Sequence, residues 1–559
     1  MQVIHFLGTW KLYQKAGRKP WEALVPIYNA VVLMRIINRP RWWVLLLFIP
    51  VVNLIMFPVV WVETLRSFGK NSTMDTILGI VTLGFYIYYI NYFEDVQYVG
   101  SERDLKPRTQ TGDTVSSLLF AVVVATLVHT YVMQPFTIPT SSLEKTLLVG
   151  DFLFVSKFHY GARTPQTTVA LPMVHDSIPL TKMKSYSSWP QLPYFRFPGV
   201  EKIEKNDIVV FNWPIDTVRF FRDRSNIHVQ KPVDKRSNYV KRCVATPGDT
   251  FSLKDGIVYI NGKELILSDR AKPQYFYPLE TTGEINDAFL KKYDITEAQR
   301  YYKIKKEHWD NNEIRAYFRQ PDVQVSLTET SRDSVGVEVF GHIGYDLMQK
   351  LEMQPLNKLQ ANLTSEKVEA LKKDPFVKEL KPHFNYPPYA NKEGKPAIFP
   401  HTKADWTGDN MGPVYIPEAG KTVELNAETL PFYSRAISEY EHNDLQVTGN
   451  EIRINGKPAT SYTFKQNYYW MMGDNRHNSE DSRFWGFVPE DHIVGKPVFV
   501  WMSWDSNATG LLNKIRWERL FTTVGGDGEP VSYFKYFLIL LAGWFVFDYF
   551  RKKRKAAKS

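Results

Sequence analysis

Thr250-Phe251-Ser252-Leu253-Lys254-Asp255-Gly256-Ile257-Val258-Tyr259-Ile260-Asn261-Gly262-Lys263 alternates apolar and polar residues and is punctuated by two turn pairs, Asp255-Gly256 and Asn261-Gly262. Alternation of period two is the mark of a half-buried strand. Asp-Gly and Asn-Gly tolerate the positive φ that two-residue hairpin turns require. A fainter echo follows at Gly449-Asn450-Glu451-Ile452-Arg453-Ile454-Asn455-Gly456-Lys457. The short apolar runs 207–211 and 493–501 have the character of buried strands. The block is therefore read as mainly β, in two parts (135–265 and 446–532). Between them lies an insert, 266–445, charged and proline-containing, with a helical stretch near 365–373 and no catalytic motif.

Composition narrows the classes. Of 559 residues, 44% are hydrophobic and 14% aromatic, which excludes a disordered chain. The net charge of +10 sits largely beside apolar runs, so it is read as a topology signal and not as a nucleic-acid footprint. The single cysteine, Cys243, rules out an intrachain disulfide.

Four runs are candidate membrane spans: 42–62, 76–93, 115–133 (an anchor within 114–134) and 533–550. Crossing ~30 Å of hydrocarbon takes about 20 mostly apolar residues in a helix. Basic clusters lie before the first run (Lys11, Lys15, Arg18, Lys19, Arg35, Arg39, Arg41), between the second and third (Arg103, Lys106, Arg108), and in the tail 551–559, starting at Arg551. The positive-inside rule puts all three in the cytoplasm. The expectation is an N-terminal membrane region over 1–113, about four spans, both termini inside, and 134–532 outside. The run 21–38 is broken by Pro26, Asn29 and Arg35 and is read as interfacial or re-entrant.

Three segments carry the chemistry. Ile138-Pro139-Thr140-Ser141-Ser142-Leu143-Glu144-Lys145-Thr146-Leu147, closed by Gly150-Asp151, follows the third apolar run. Tyr239-Val240-Lys241-Arg242 runs into Thr246-Pro247-Gly248-Asp249. Gly473-Asp474-Asn475-Arg476-His477-Asn478-Ser479-Glu480-Asp481-Ser482-Arg483 is the third. A serine hydroxyl needs a base to become a nucleophile. A lysine serves only when neutral, and burial is what lowers its affinity for the proton. Lys241 lies among Tyr239, Val240, Val244 and Ala245. On a strand it shares a face with Tyr239 and Cys243, while Arg242 points the other way.

Together, and in this order, the three segments resemble the type I signal peptidases, a Ser–Lys dyad family, over roughly 115–265 and 445–505. The resemblance extends through Trp485-Gly486-Phe487-Val488-Pro489 and Ile493-Val494-Gly495-Lys496. It implies an antiparallel β-sheet domain with an apolar, membrane-facing surface. It implies Ser142 as nucleophile, Lys241 as general base, and an oxyanion hole from the Thr140 hydroxyl and the Ser142 N–H. Ser479 would orient the lysine amine, and Asp481 and Arg483 would pair to brace the loop. The implied activity is removal of signal peptides from exported preproteins, cutting after small residues, with no metal or organic cofactor. The implied setting is the inner membrane of a bacterium, with the catalytic block on the periplasmic side and the lipid bilayer and secretion translocon as neighbours. Leu143 stands where the family usually has methionine, Lys145 where it has proline, and His477 where aspartate is common. Losing that proline removes a rigid turn residue.

Two rivals follow from the residues. His477 offers a Ser–His–Asp arrangement with Asp474 or Asp481 as orienter. A non-catalytic, membrane-anchored module that only binds secreted chains is the other. Ala419-Gly420-Lys421-Thr422 resembles a phosphate loop, but Tyr415 occupies the place of its first glycine. There is no His-Glu-x-x-His pattern for a metal.

Overall fold

The computed structural model describes residues 2–100, 103–105, 109–220, 223, 227–318, 320, 323, 325–382 and 397–556. Lys106, Arg108, the side chain of Lys555 and the tail residues 557–559 lie outside the described residues. The chain divides into two compact units. One is Met1–Pro135 with Val155–Lys202 and Ile215–Asn238; the other is Phe136–Phe154 with Ile203–Pro214 and Tyr239–Ser559.

The first unit begins with short helices around a core that includes Leu12, Tyr13, Val32, Met34, Leu65 and Ile90. The apolar run 42–62 is not one helix. Trp43–Leu46 stops before Pro50, and Val52–Ser67 resumes after Val51, whose φ is +69°. Proline has no N–H to donate and pushes its predecessor out of the helical region, so a break here follows from the sequence. The run 76–93 forms two helices, Thr73–Val81 and Tyr86–Phe93, bent by 117°. Leu83 and Gly84 between them both have positive φ. Within 21–38 the longest helix, Tyr28–Ile36, has nine residues, about 14 Å at 1.5 Å per residue. By length and composition, one helix among the described residues, Gln110–Val132, is long and apolar enough to cross a membrane, or up to two if the bent pair counts as one. The helix Phe534–Ala556, in the second unit, is equally long at 23 residues but carries Lys535, Asp548 and a basic end.

The second unit is built from antiparallel strands. An eight-stranded sheet runs in the order Met133–Thr137, Asp151–Ser156, Ile493–Ser503, Ile208–Asn212, Asn238–Ala245, Tyr468–Met472, Val488–Pro489, with Thr522–Thr523 added to Ile493–Ser503. The opening stretch of sequence forms Thr250–Lys254, Ile257–Ile260 and Lys263–Glu264, joined by Met411–Tyr415 in a four-stranded sheet. Both turn pairs are left-handed at each residue: Asp255 +46°, Gly256 +76°, Asn261 +53° and Gly262 +81°. That is the type I′ geometry which matches the twist of hairpin strands. The echo folds the same way at Asn455 (+52°) and Gly456 (+78°).

A core of Val244, Phe251, Trp470, Met472 and Phe487 joins these two sheets, and Ile398, Phe399, Trp406 and Tyr433 enter it too. The later part of the insert thus packs with the catalytic-domain strands. The earlier part makes a six-stranded antiparallel sheet: Ser326–Arg332, Gly336–His342, Ala298–Lys305, Gln354–Thr364, Gln274–Thr281, Val377–Leu380. It has cores of its own around Leu279, Leu359 and Leu371, and around Ile304, Val337 and Val339. The expected helix appears as Ser365–Leu371.

Candidate active site

The serine loop is pinned at both ends. Ile138 N–H donates to the Asp151 carbonyl and Gly150 N–H to the Ile138 carbonyl, each at 2.9 Å. Gly150 has φ +89°, and a Cβ there would lie 1.9 Å from the Trp504 carbonyl oxygen, so only glycine fits this close backbone approach. Asp151 is wholly buried; it accepts from Ser503 Oγ at 2.6 Å and pairs with Arg519. Buried Leu143 and Leu147 anchor the turn between these ends.

Lys145 sits at φ +68°, a left-handed conformation that proline cannot adopt. Its ammonium pairs with Asp294 Oδ2 at 2.8 Å and bonds the Asp294 carbonyl at 3.0 Å. An ion pair to the insert thus holds this turn, in place of a ring constraint. Burial, then the nearby Glu297, raises the Glu144 carboxyl above its ordinary pKa.

The lysine strand, Asn238–Ala245, pairs with Tyr468–Met472 in the register Met471↔Cys243 and Met472↔Arg242. Lys241 precedes Arg242 on this strand, and Gly473 follows Met472 where the partner strand ends. Arg242 grips Asp474 with two bonds, Nε to Oδ1 at 2.8 Å and Nη2 to Oδ2 at 2.6 Å. Lys241 is 3% exposed. Its ammonium lies 5.7 Å from the centre of the Tyr239 ring, which stacks on Trp213 and meets Trp485 edge-on. Burial lowers the Lys241 pKa from 10.5 to about 8, against the opposing pull of Asp481 and Glu480.

Gly473 is the meeting point. A Cβ on it would strike Ser479 Oγ at 2.2 Å and the Ser142 carbonyl oxygen at 2.5 Å. The position must be glycine because the serine loop and Ser479 both close on it. Ser479 donates to Asp481 Oδ2 at 2.9 Å, which leaves its oxygen able to accept. Asp481 also accepts from Gly473 N–H at 3.0 Å and from Arg483 Nε and Nη2 at 2.9 Å each. Burial works to raise the Asp481 pKa, yet Arg483 beside it brings the carboxyl below its ordinary value. Arg483 is held in turn by the carbonyls of Gly408 (2.8 Å) and Arg476 (2.5 Å).

The Ser142 carbonyl, Ser479 and Asp481 thus meet at one glycine, Arg483 braces Asp481, and buried Lys241 feels the charges of Asp481, Glu480 and Arg483. Thr140 stays on the exposed lip of the serine loop. His477 is occupied elsewhere. Its Nδ1 accepts from Phe276 N–H at 2.9 Å, so the ring proton is on Nε2, which donates to Asp409 Oδ1 at 2.8 Å. With both nitrogens engaged, and with Asp474 and Asp481 held by arginines, the Ser–His–Asp arrangement does not form. Asp474, which the sequence offered only as a partner for His477, and Asn475, Asp409, Gln274 and Glu297, to which motif reading gave no role, also line these loops. The first two lay inside the Gly-Asp-Asn segment and were legible there. The insert residues carry no sequence signal.

Comparison with known proteins accords with this geometry. The signal peptidase, peptidase S26 family matches residues 111–309 and 415–504, just over half of the chain. A family of unknown function (DUF5684) matches residues 21–101. Signal peptidase I of Haemophilus influenzae is 23% identical over 425 residues, covering 75% of this chain and 78% of that protein. Signal peptidase I of Buchnera aphidicola subsp. Baizongia pistaciae is 22% identical, with 70% and 77% covered. Signal peptidase I of Rickettsia canadensis is 30% identical over a shorter stretch of 162 residues. The chain belongs to the signal peptidase, peptidase S26 family, as a serine peptidase of the type I signal peptidase group.

Proposed function

We propose that this chain is a membrane-anchored endopeptidase that removes signal peptides from exported preproteins by a Ser142–Lys241 dyad. The observation that carries this reading is the convergence of the Ser142 carbonyl and the Ser479 hydroxyl on Gly473, together with a buried Lys241 that feels the charges of Asp481 and Glu480 and whose pKa burial lowers to about 8. Near neutral pH a useful fraction of that amine is unprotonated, which an ordinary surface lysine does not offer.

Ser142 Oγ attacks the scissile carbonyl carbon while Lys241 Nζ takes its proton. The oxyanion is met by the Ser142 N–H and the Thr140 hydroxyl. The tetrahedral adduct collapses, the C–N bond breaks, and the Lys241 ammonium returns the proton to the leaving amine. Water, deprotonated by Lys241, then hydrolyses the acyl-enzyme and frees Ser142. Ser479 orients the amine, and Asp481 and Arg483 hold Ser479. The substrate binds as an added strand beside the serine loop and is cut after a small residue.

The helix Gln110–Val132 ends ten residues before Ser142 and serves as an anchor. The runs 42–62, 76–93 and 533–550 complete a multi-pass inner-membrane topology with cytoplasmic termini and a periplasmic catalytic block. The bilayer and the secretion translocon are its neighbours.

The test is cleavage of a model preprotein by detergent-purified wild type, Ser142→Ala and Lys241→Ala, with cut sites read by mass spectrometry. Wild type cuts after a small residue and both variants fall by at least ~10³-fold in kcat. Activity retained in either variant removes that residue from the dyad. Preprotein binding without cleavage by wild type would favour the binding-module reading.

A further inference from the structure

The insert enters the candidate active site. Gln274 opens the insert strand Gln274–Thr281, and its N–H donates to the Asp474 carbonyl at 2.8 Å. Its side-chain amide donates to the Glu144 carbonyl at 2.7 Å. Glu297 precedes the strand Ala298–Lys305, which Gln354–Thr364 separates from Gln274–Thr281 in the sheet. Its Oε2 accepts from Asn475 Nδ2 at 2.7 Å and from Asn362 Nδ2 at 2.9 Å.

Asn475 is fully buried and joins these groups to the serine loop. Its Nδ2 also donates to the Ser141 carbonyl at 2.9 Å, and its backbone N–H to the Ser142 carbonyl at 3.1 Å. Asn362 donates to its side-chain oxygen. An amide group has two N–H bonds. Here one goes to Ser141 and the other to Glu297, so the carboxylate fixes which end of the amide faces the loop.

The peptide between Ser141 and Ser142 is planar and trans, so its C=O and N–H point in opposite directions. Holding the Ser141 oxygen therefore aims the Ser142 N–H. Resting on the Ser142 reading above, we infer that Glu297 of the insert is a positioning residue: through Asn475 it orients the Ser142 N–H that meets the oxyanion. The insert is then a working part of the catalytic centre and not a separable attachment.

The test is steady-state kinetics of the full-length enzyme with the model preprotein, alongside thermal unfolding. Glu297→Ala lowers kcat by about 10- to 100-fold with KM little changed, because an oxyanion donor acts in the transition state. Glu297→Gln keeps a carbonyl acceptor and restores kcat to within about threefold of wild type. Glu297→Asp keeps the charge but withdraws the acceptor by one methylene, and it loses kcat as the alanine variant does. Asn475→Ala combined with Glu297→Ala is no slower than Asn475→Ala alone, since the Glu297–Asn475 bond (2.7 Å) is shorter than the Glu297–Asn478 bond (3.2 Å) that also leads to Ser141. Wild-type kcat in Glu297→Ala or Glu297→Asp overturns the inference, as does a fall in unfolding temperature with kcat unmoved. If Glu297→Ala does not accumulate, the Asp and Gln pair decides alone. Failure of the dyad itself shows separately, as activity in Ser142→Ala.

Discussion

Lys241 and Lys305 both lie on antiparallel strands of the second unit, and both have carboxylates nearby. Lys241 is buried, and burial lowers its pKa to about 8. Lys305, on the insert strand Ala298–Lys305, is exposed and pairs with Glu352, whose hydrogen bond raises its pKa. Acidic neighbours do not separate the two cases, because Asp481 and Glu480 pull Lys241 towards the ammonium as well. Exclusion of water does, with Tyr239, Trp213 and Trp485 forming the wall. Arg483, bound to both oxygens of Asp481, opposes that pull on Lys241.

The largest effect should come from breaking that arrangement. Asp481→Ala leaves the Arg483 guanidinium buried without its partner, and it strips acceptors from Ser479 and the Gly473 N–H. Removing one member of a buried pair costs about 3–5 kcal/mol. Denaturant unfolding should show a loss of that order, accompanied by loss of cleavage.

A smaller change of opposite sign tests the burial argument. Lys241 binds its proton less tightly folded than unfolded, so its cost to stability is full below pH 8, shrinks as pH rises, and is gone above about 10.5. Lys241→Met should therefore abolish cleavage yet stabilise the fold at pH 7 by up to ~3 kcal/mol, the gain fading towards pH 10. The matched change Lys305→Met should give no such gain at any pH. Equal behaviour of the two variants would mean that burial does not set Lys241 apart.

The catalytic strands were legible because their signals are local. Asp255-Gly256 and Asn261-Gly262 predict positive φ at both residues of a turn, and the chain shows it. The lysine, its strand and the Gly-Asp-Asn segment were recognisable together, and the pairing of Met472 with Arg242 brings them into one place. The helical breaks were harder to see. A hydropathy run counts apolar residues but does not register Pro50, or the left-handed pair Leu83-Gly84, as interruptions. Lys145 read as a lost constraint, whereas its left-handed backbone is one that proline could not supply. Glu297 and Gln274 were invisible for a physical reason. They act through a carboxylate, a side-chain amide and a backbone N–H, at distances in sequence that no motif spans.

A neutral, buried Lys241 is the proposed base for Ser142. The pH dependence of kcat for the model preprotein tests it most directly. Cleavage should rise with pH through a single midpoint near 8 as Lys241 loses its proton. A rise complete by pH 7, or a profile flat from pH 6 to 10, would contradict it.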